Sequence, residues 1–341
     1  MTITTKHEAD RNRPRILIRG IGFHFPGKPV AIADLPLTPE ESKRLPRLGQ
    51  EITHISPTED STALMVHAGR EALNRSDLAR SDIRMVISAP SLAPAYGLEI
   101  PAVALKAHLG LTKAQCLNIT QGCVGVLRGI DLAAQLLAAQ PDGGDIMVVT
   151  SCRASSYTQN MNHGAFFWGD AAAAVVLTCK PGPGLEIAGY SESSNDENWG
   201  AMRIAMGEAE YRPQNDDNES LMQVRFDDAE SQINYIRAEQ RHFAAVVNEL
   251  LAHRNLNEVD IDAIFLPSTG QNRVPSLFSE HRELLKRLRT DFRFAHFGGV
   301  DPILSIEQYL RSGLCAPGAW LIAASPAFTA QWGGLLFRIV A

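Results

Sequence analysis

The chain has 341 residues, of which 45% are hydrophobic and 21% charged, with a net charge of -6. This is ordinary globular usage over enough chain for two core-forming halves, with no compositional sign of disorder. The acidic balance argues against general affinity for nucleic acid or an anionic membrane, and an acidic partner would need a local basic patch.

The opening from Met1 to Arg15 is polar and of mixed charge, without the apolar centre of an export signal. No apolar run approaches the ~20 residues that cross a bilayer, so the expectation is a soluble, cytoplasmic protein. Arg15 to Gly22 reads as a first strand ending in a glycine turn. Asp60 caps a helix running to about Leu73, and Asp82 to Ser88 is the next strand. A proline-rich loop follows around Pro90, Pro94 and Pro101, then a helix from about Ala102 to Leu109.

Asp145 to Thr150 is a continuous apolar run, as expected of a strand covered on both faces. Phe166 to Leu177 is a glycine-broken segment of small residues ending in a strand, which implies close backbone packing. Lys180-Pro181-Gly182-Pro183-Gly184 is the best linker, and it divides the chain into halves 1–180 and 181–341. Beyond it come a strand from Leu185 to Tyr190, a polar surface loop or lid over Asn195 to Glu219, and a long helix from Asp227 to about His253. A strand from Ile261 to Leu266, a helix from Pro302 to Leu310 and strands at Ala319 to Ser325 and Gly334 to Val340 complete the order. The two halves repeat in layout only, the helix after Cys123 matching the one at Pro302.

Five cysteines, Cys116, Cys123, Cys152, Cys179 and Cys315, form an odd set without metal-like pairing and fit reduced thiols. Cys152 and Cys179 lie in or beside apolar runs and read as packing residues. Cys123 differs. In Gln121-Gly122-Cys123-Val124-Gly125 it sits at a glycine-flanked turn directly before an amphipathic helix. Unpaired N–H groups and the positive end of the helix dipole there favour a thiolate and can hold an oxyanion. A small buried apolar cysteine is the alternative.

Asn118 to Gly125 resembles the nucleophile segment of ketoacyl-acyl-carrier-protein synthase III, an Asn followed by Ala-Cys-Ala-Gly. Phe167-Trp168-Gly169-Asp170-Ala171 resembles that family's Phe-Gly-Asp-Gly-Ala segment, and Phe328-Thr329 with Trp332-Gly333 its C-terminal Gly-Phe-Thr-Trp-Gly. The resemblance implies an α/β thiolase fold, with two similar halves, mixed five-stranded sheets and five α-β-α-β-α layers. It also implies a homodimer, and Cys123 as a nucleophile at the base of a tunnel. That cysteine would take an acyl group from coenzyme A or from the phosphopantetheine of an acyl carrier protein, with no permanently bound cofactor and no metal.

The departures carry more information. The family's His-Gln-Ala-Asn motif is replaced by Pro267-Ser268-Thr269-Gly270-Gln271-Asn272, and its Gly-Asn-Thr-Ser motif by Phe297-Gly298-Gly299-Val300-Asp301. The His and Asn that stabilise a malonyl enolate are therefore missing, and Ser268, Thr269 or Asn272 supplies at most a weaker donor in the pocket. His296 and Asp301, on the loop into the second central helix, read as a replacement general base and its orienting carboxylate. Asp301 before Pro302 also fits a plain N-cap.

This pattern resembles the non-condensing acyltransferase branch of natural-product pathways, which moves an acyl group onto a hydroxyl, an amine or a carrier thiol of a second substrate. A decarboxylative condensing enzyme and a non-catalytic partner subunit are the alternative readings. Cys123 and Ala327 would provide the oxyanion N–H groups, and His163 is a pocket candidate or a surface histidine. Gly169-Asp170 reads as architectural, Gly20-Ile21-Gly22 lacks the spacing of a nucleotide fingerprint, and His281, Arg282, Lys286, Arg287 and Arg289 read as a solvated basic face or a carrier dock. The aromatic and arginine residues that grip coenzyme A in relatives are not evident around Leu48 to His54, which favours a carrier-protein donor.

Overall fold

The computed structural model describes residues 14–96, 98–158, 161, 166–196, 199, 202–204, 222–224, 229–327 and 330–341. His163, Phe328, Thr329 and most of the expected 195–219 loop lie outside the described residues.

The first half contains β1 (Leu17–His24), β2 (Val30–Ala31), α1 (Pro39–Leu48), β3 (Ile52–Thr53), α2 (Ser61–Arg75), β4 (Ile83–Ser88), α3 (Pro101–Leu109), β5 (Gln115–Asn118), α4 (Gly125–Ala139), β6 (Asp145–Arg153) and β7 (Asp170–Thr178). The second contains β8 (Gly184–Ser194), the pair β9 (Met202–Ile204) and β10 (Met222–Val224), α5 (Ala229–His253), β11 (Ile261–Phe265), α6 (Val274–Leu277), α7 (Arg282–Leu285), α8 (Val300–Arg311), β12 (Trp320–Ala327) and β13 (Gln331–Val340). Asp60 caps α2 as its sequence predicts, accepting the Ala63 N–H at 2.8 Å. Thr38-Pro39-Glu40-Glu41 starts α1 with a reciprocal capping box, a signal legible in the sequence.

The strands form the order β11-β12-β13-β8-β1-β7-β6-β4-β5. Matching strands of the halves are β4 and β11, β6 and β12, β7 and β13, and β1 and β8. The expected pair of five-stranded sheets is met by five strands in the first half and four in the second. In the fifth position of the second half, Leu288 makes a lone parallel bridge to Ile264. A short antiparallel contact, Leu17 with Glu186 and Ile18 with Leu185, joins the two sheets at their edges.

Side-chain alternation explains the layers. On β6, Ile146 and Val148 join the central core with α4 and α8, whereas Met147 and Val149 face α2 and α3. On β12, Leu321 and Ala323 turn to the same central core and Ile322 and Ala324 to α5. Each sheet is thus covered on both faces, giving the five layers of the thiolase fold. The middle layer is the α4–α8 pair, through Val126, Leu127 and Ile130 on one helix and Val300, Ile303 and Ile306 on the other. Gly122–Ala139 is apolar enough to count as a bilayer-length helix, contrary to the sequence reading, but 56% of it is buried within this layer.

Two local expectations change. β1 runs on through Gly20-Ile21-Gly22 instead of turning, because those glycines let α2 come close. A Cβ on Gly22 would stand 2.2 Å from the Ala72 nitrogen. His281 is buried, not part of a solvated basic face, and its Nδ1 lies 2.8 Å from Glu258 Oε1.

Candidate active site

Cys123 lies in the tight turn Gly122–Val124 that leads into α4. Gly122 adopts φ +56°, a left-handed conformation that a side chain resists, and this lets the chain swing from β5 into the helix. From the other half, the loop before α8 reverses at Gly298, with φ +61°. The lead-ins of the two central helices then meet. A Cβ on Gly299 would stand 3.3 Å from the Cys123 carbonyl oxygen and 3.0 Å from Thr150 Oγ1.

This meeting aligns three side chains. Cys123 Sγ lies 3.4 Å from His296 Nε2, and His296 Nδ1 lies 2.6 Å from Asp301 Oδ2. All are buried, with exposures of 4%, 0% and 3%. The Asp301 carboxylate also accepts the Ser268 N–H at 2.7 Å and the Phe297 N–H at 2.8 Å. Against that carboxylate Nδ1 donates, which leaves Nε2 facing the sulfur. Asp301 is not an N-cap, since α8 begins at Val300 with Gly299 as its cap. It stands in the first turn, where its carboxylate reaches back to the loop.

The imidazole is held on every side. Its backbone N–H donates to the Phe167 carbonyl at 2.8 Å and its carbonyl accepts the Gly169 N–H at 3.0 Å. The rings of Trp168 and Phe166 lie 4.5 and 5.1 Å away, centroid to centroid. Gly169 is required here by the Phe297 ring, which a Cβ would meet at 2.1 Å. Asp170 does bind backbone N–H groups, accepting from Ser56 at 2.7 Å and Ser155 at 3.0 Å.

Burial alone disfavours a charged imidazole, but the Asp301 carboxylate and the Cys123 sulfur outweigh it and push His296 up to about 10. The carboxylate thus favours the cationic ring, whose Nε2 stands 3.4 Å from the sulfur. Cys152 has no such partner. Burial, reinforced by the nearby Asp170 carboxylate, pushes its thiol well above the ordinary range.

The other predicted pocket residues are placed differently. Ser268 is buried, but its hydroxyl donates to the Phe294 carbonyl and its N–H serves Asp301. Thr269 is buried and Asn272 is exposed. Ala327 is buried at the end of β12, a strand that packs against the Cys123 turn.

Gln50 was missed by sequence reasoning. It is 1% exposed, and its amide donates to the carbonyls of Ser268 at 2.7 Å and Phe167 at 3.2 Å while accepting the Phe167 N–H at 2.8 Å. One side chain therefore ties the segment before β7, which bridges to His296, to the loop whose Ser268 N–H serves Asp301. No periodicity marks it; a lone glutamine between Gly49 and Glu51 reads as surface.

Residues 117–195 match the family model of 3-oxoacyl-(acyl-carrier-protein) synthase III. Over 335 residues the chain is 23% identical to beta-ketoacyl-(acyl-carrier-protein) synthase III of Acidiphilium cryptum, covering 95% of this chain and 99% of that one. It is 25% identical over 330 residues to the protein of that name from Nitratidesulfovibrio vulgaris, covering 94% and 98%. Among solved structures, synthase III of Pseudomonas aeruginosa matches with a TM-score of 0.79 at 18% identity, covering 96% and 99% of the two chains. ChlB3, described as an acyltransferase, matches with 0.80 at 17%, covering 96% and 98%. The fold is the thiolase fold. Within it, the sequence is similar to ketoacyl-acyl-carrier-protein synthase III over 117–195 by the family model and over most of the chain at 23 to 25% identity.

Proposed function

We propose that this protein is an acyltransferase that carries its acyl group on Cys123 and releases it, without decarboxylation, to a hydroxyl, an amine or a carrier thiol. The observation that carries the reading is the buried hydrogen-bonded chain from Cys123 through His296 to Asp301. Half 1–180 supplies the nucleophile and half 181–341 the base and its orienting carboxylate.

In the first step the Cys123 thiolate attacks the carbonyl carbon of an acyl thioester. The new carbon–sulfur bond forms as the old one breaks, and the departing pantetheine sulfur takes the proton from the His296 imidazolium. The N–H groups of Cys123 and Ala327 are assigned to the oxyanion, which the packing of β12 against the Cys123 turn supports. Acylation removes the charge on sulfur, and with it part of what held His296 protonated. The ring is then a neutral base. It accepts the proton of the acceptor hydroxyl, amine or thiol as that atom attacks the thioester, and the thiolate–imidazolium pair is restored.

A malonyl donor would need two hydrogen-bond donors on the enolate oxygen. The segments that correspond by resemblance to those motifs hold Ser268, whose hydroxyl is committed to the Phe294 carbonyl, and Gly298-Gly299, which carry no side-chain donor. A carrier-protein donor is preferred to free coenzyme A, the acceptor is a small molecule, the protein works as a homodimer, and the setting is secondary metabolism.

Intact-mass spectrometry with acyl-loaded carrier protein and with acyl-coenzyme A tests the reading. Wild type gains one acyl mass and Cys123→Ala gains none; an adduct on the variant would refute the assignment. Release of labelled carbon dioxide from a malonyl carrier would favour condensation instead.

A further inference from the structure

A second group of ligand-type side chains lies on the opposite face of β1 from the central core. Phe23 and Phe25 point into that core, so His24 between them points toward α2. There it meets Glu59, from the loop before α2, and His67, from the second turn of that helix. His24 Nε2 lies 2.9 Å from Glu59 Oε1, and His67 Nε2 lies 3.5 Å from the same oxygen. The two imidazoles stack with centroids 4.5 Å apart and planes at 23°. All three ligand atoms fall within 4.8 Å of one another.

We propose that His24, Glu59 and His67 bind one divalent transition-metal ion of the zinc class. A tetrahedral ion with bonds of about 2.0 to 2.1 Å spaces its ligand atoms about 3.3 Å apart, and the two observed separations straddle that value. Two imidazole nitrogens and one carboxylate oxygen suit zinc, nickel, cobalt or copper, whereas magnesium and calcium require oxygen cages.

The carboxylate is pre-positioned. Ser56 Oγ accepts the Glu59 N–H at 3.0 Å and donates to the Glu59 carbonyl at 2.7 Å, and the next residue, Asp60, caps α2. Side-chain exposures of 25%, 26% and 47% for His24, Glu59 and His67 leave an ion a path in and a fourth position for water. Bound there, the ion clamps the end of β1 to the outer helix, and its effect is on stability, by mass action on the folded state.

Cobalt(II) titration followed by visible absorption and calorimetry tests this, using Cys123→Ala protein so that the reactive thiol does not compete. One equivalent per chain is expected, with affinity at least tenfold weaker in Glu59→Gln and in His67→Ala. Unchanged affinity in both variants, or no saturable binding up to about 1 mM, where binding is worth only ~4 kcal/mol, overturns the proposal. Copper(II) paramagnetic resonance on the same background, with the three ligand residues intact, gives a readout independent of whether those variants fold. Two imidazole nitrogens in the hyperfine pattern support the site, and fewer than two refute it.

Discussion

The two central helices, α4 and α8, hold equivalent places in the two halves, yet their lead-ins carry opposite chemistry. The turn before α4 presents a sulfur; the loop and first turn of α8 present an imidazole and a carboxylate. Neither lead-in holds a complete site. The two helix starts meet, and the contact is divided between them, a sulfur on one side and an imidazole with its carboxylate on the other.

Removing the base tests that division most severely. His296→Ala should lower acyl transfer by about 10²- to 10⁴-fold, measured by single-turnover release from preloaded enzyme. Transfer at the wild-type rate would end the assignment. Asp301→Asn keeps the shape but offers an N–H where Nδ1 needs an acceptor, so the ring is held in the wrong tautomer. A loss of about a hundredfold or more in the same assay is expected, with Cys123 still acylated over longer times.

The two buried cysteines sharpen the comparison through pH. Because His296 is raised to about 10, its ring stays cationic from pH 6 to 9, and the charge beside Cys123 persists across that window. Alkylation of Cys123 by iodoacetamide, followed by peptide mass spectrometry, should therefore outpace that of Cys152 across the window. In His296→Gln the Cys123 rate should fall, because the ring 3.4 Å from the sulfur is gone. Cys152, raised by burial, should stay unmodified throughout. An unchanged Cys123 rate in His296→Gln would mean that the ring does not assist the sulfur.

The smallest effect expected is at the tie between halves. Gln50→Leu strands the partner groups of Phe167 and Ser268, and chemical denaturation should report a loss of about 2 kcal/mol. Transfer should fall with it, because the loop under Asp301 loses its anchor.

Much of the fold is legible locally. The unbroken apolar run of β6 predicts a strand covered on both faces, Asp60 predicts a helix start, and Gly122 before Cys123 predicts a sharp turn into a helix. The glycines of β1 mislead because Gly20 and Gly22 serve a neighbouring helix, not a turn. His281 misleads because its partner, Glu258, lies 23 residues away and removes it from solvent.

Sequence by itself therefore determined the element order, the two-half layout and the cysteine's place at a helix start, all of which follow from local periodicity and turn chemistry. Tertiary structure alone decided that the Cys123 sulfur and the His296 ring, 173 residues apart, face each other at 3.4 Å. It also decided that the Asp301 carboxylate meets the His296 ring and does not cap α8, and that Gln50 is a buried tie. The reason is physical. A segment's pattern records which of its faces is apolar, but a buried polar group's partner depends on where separately formed elements meet.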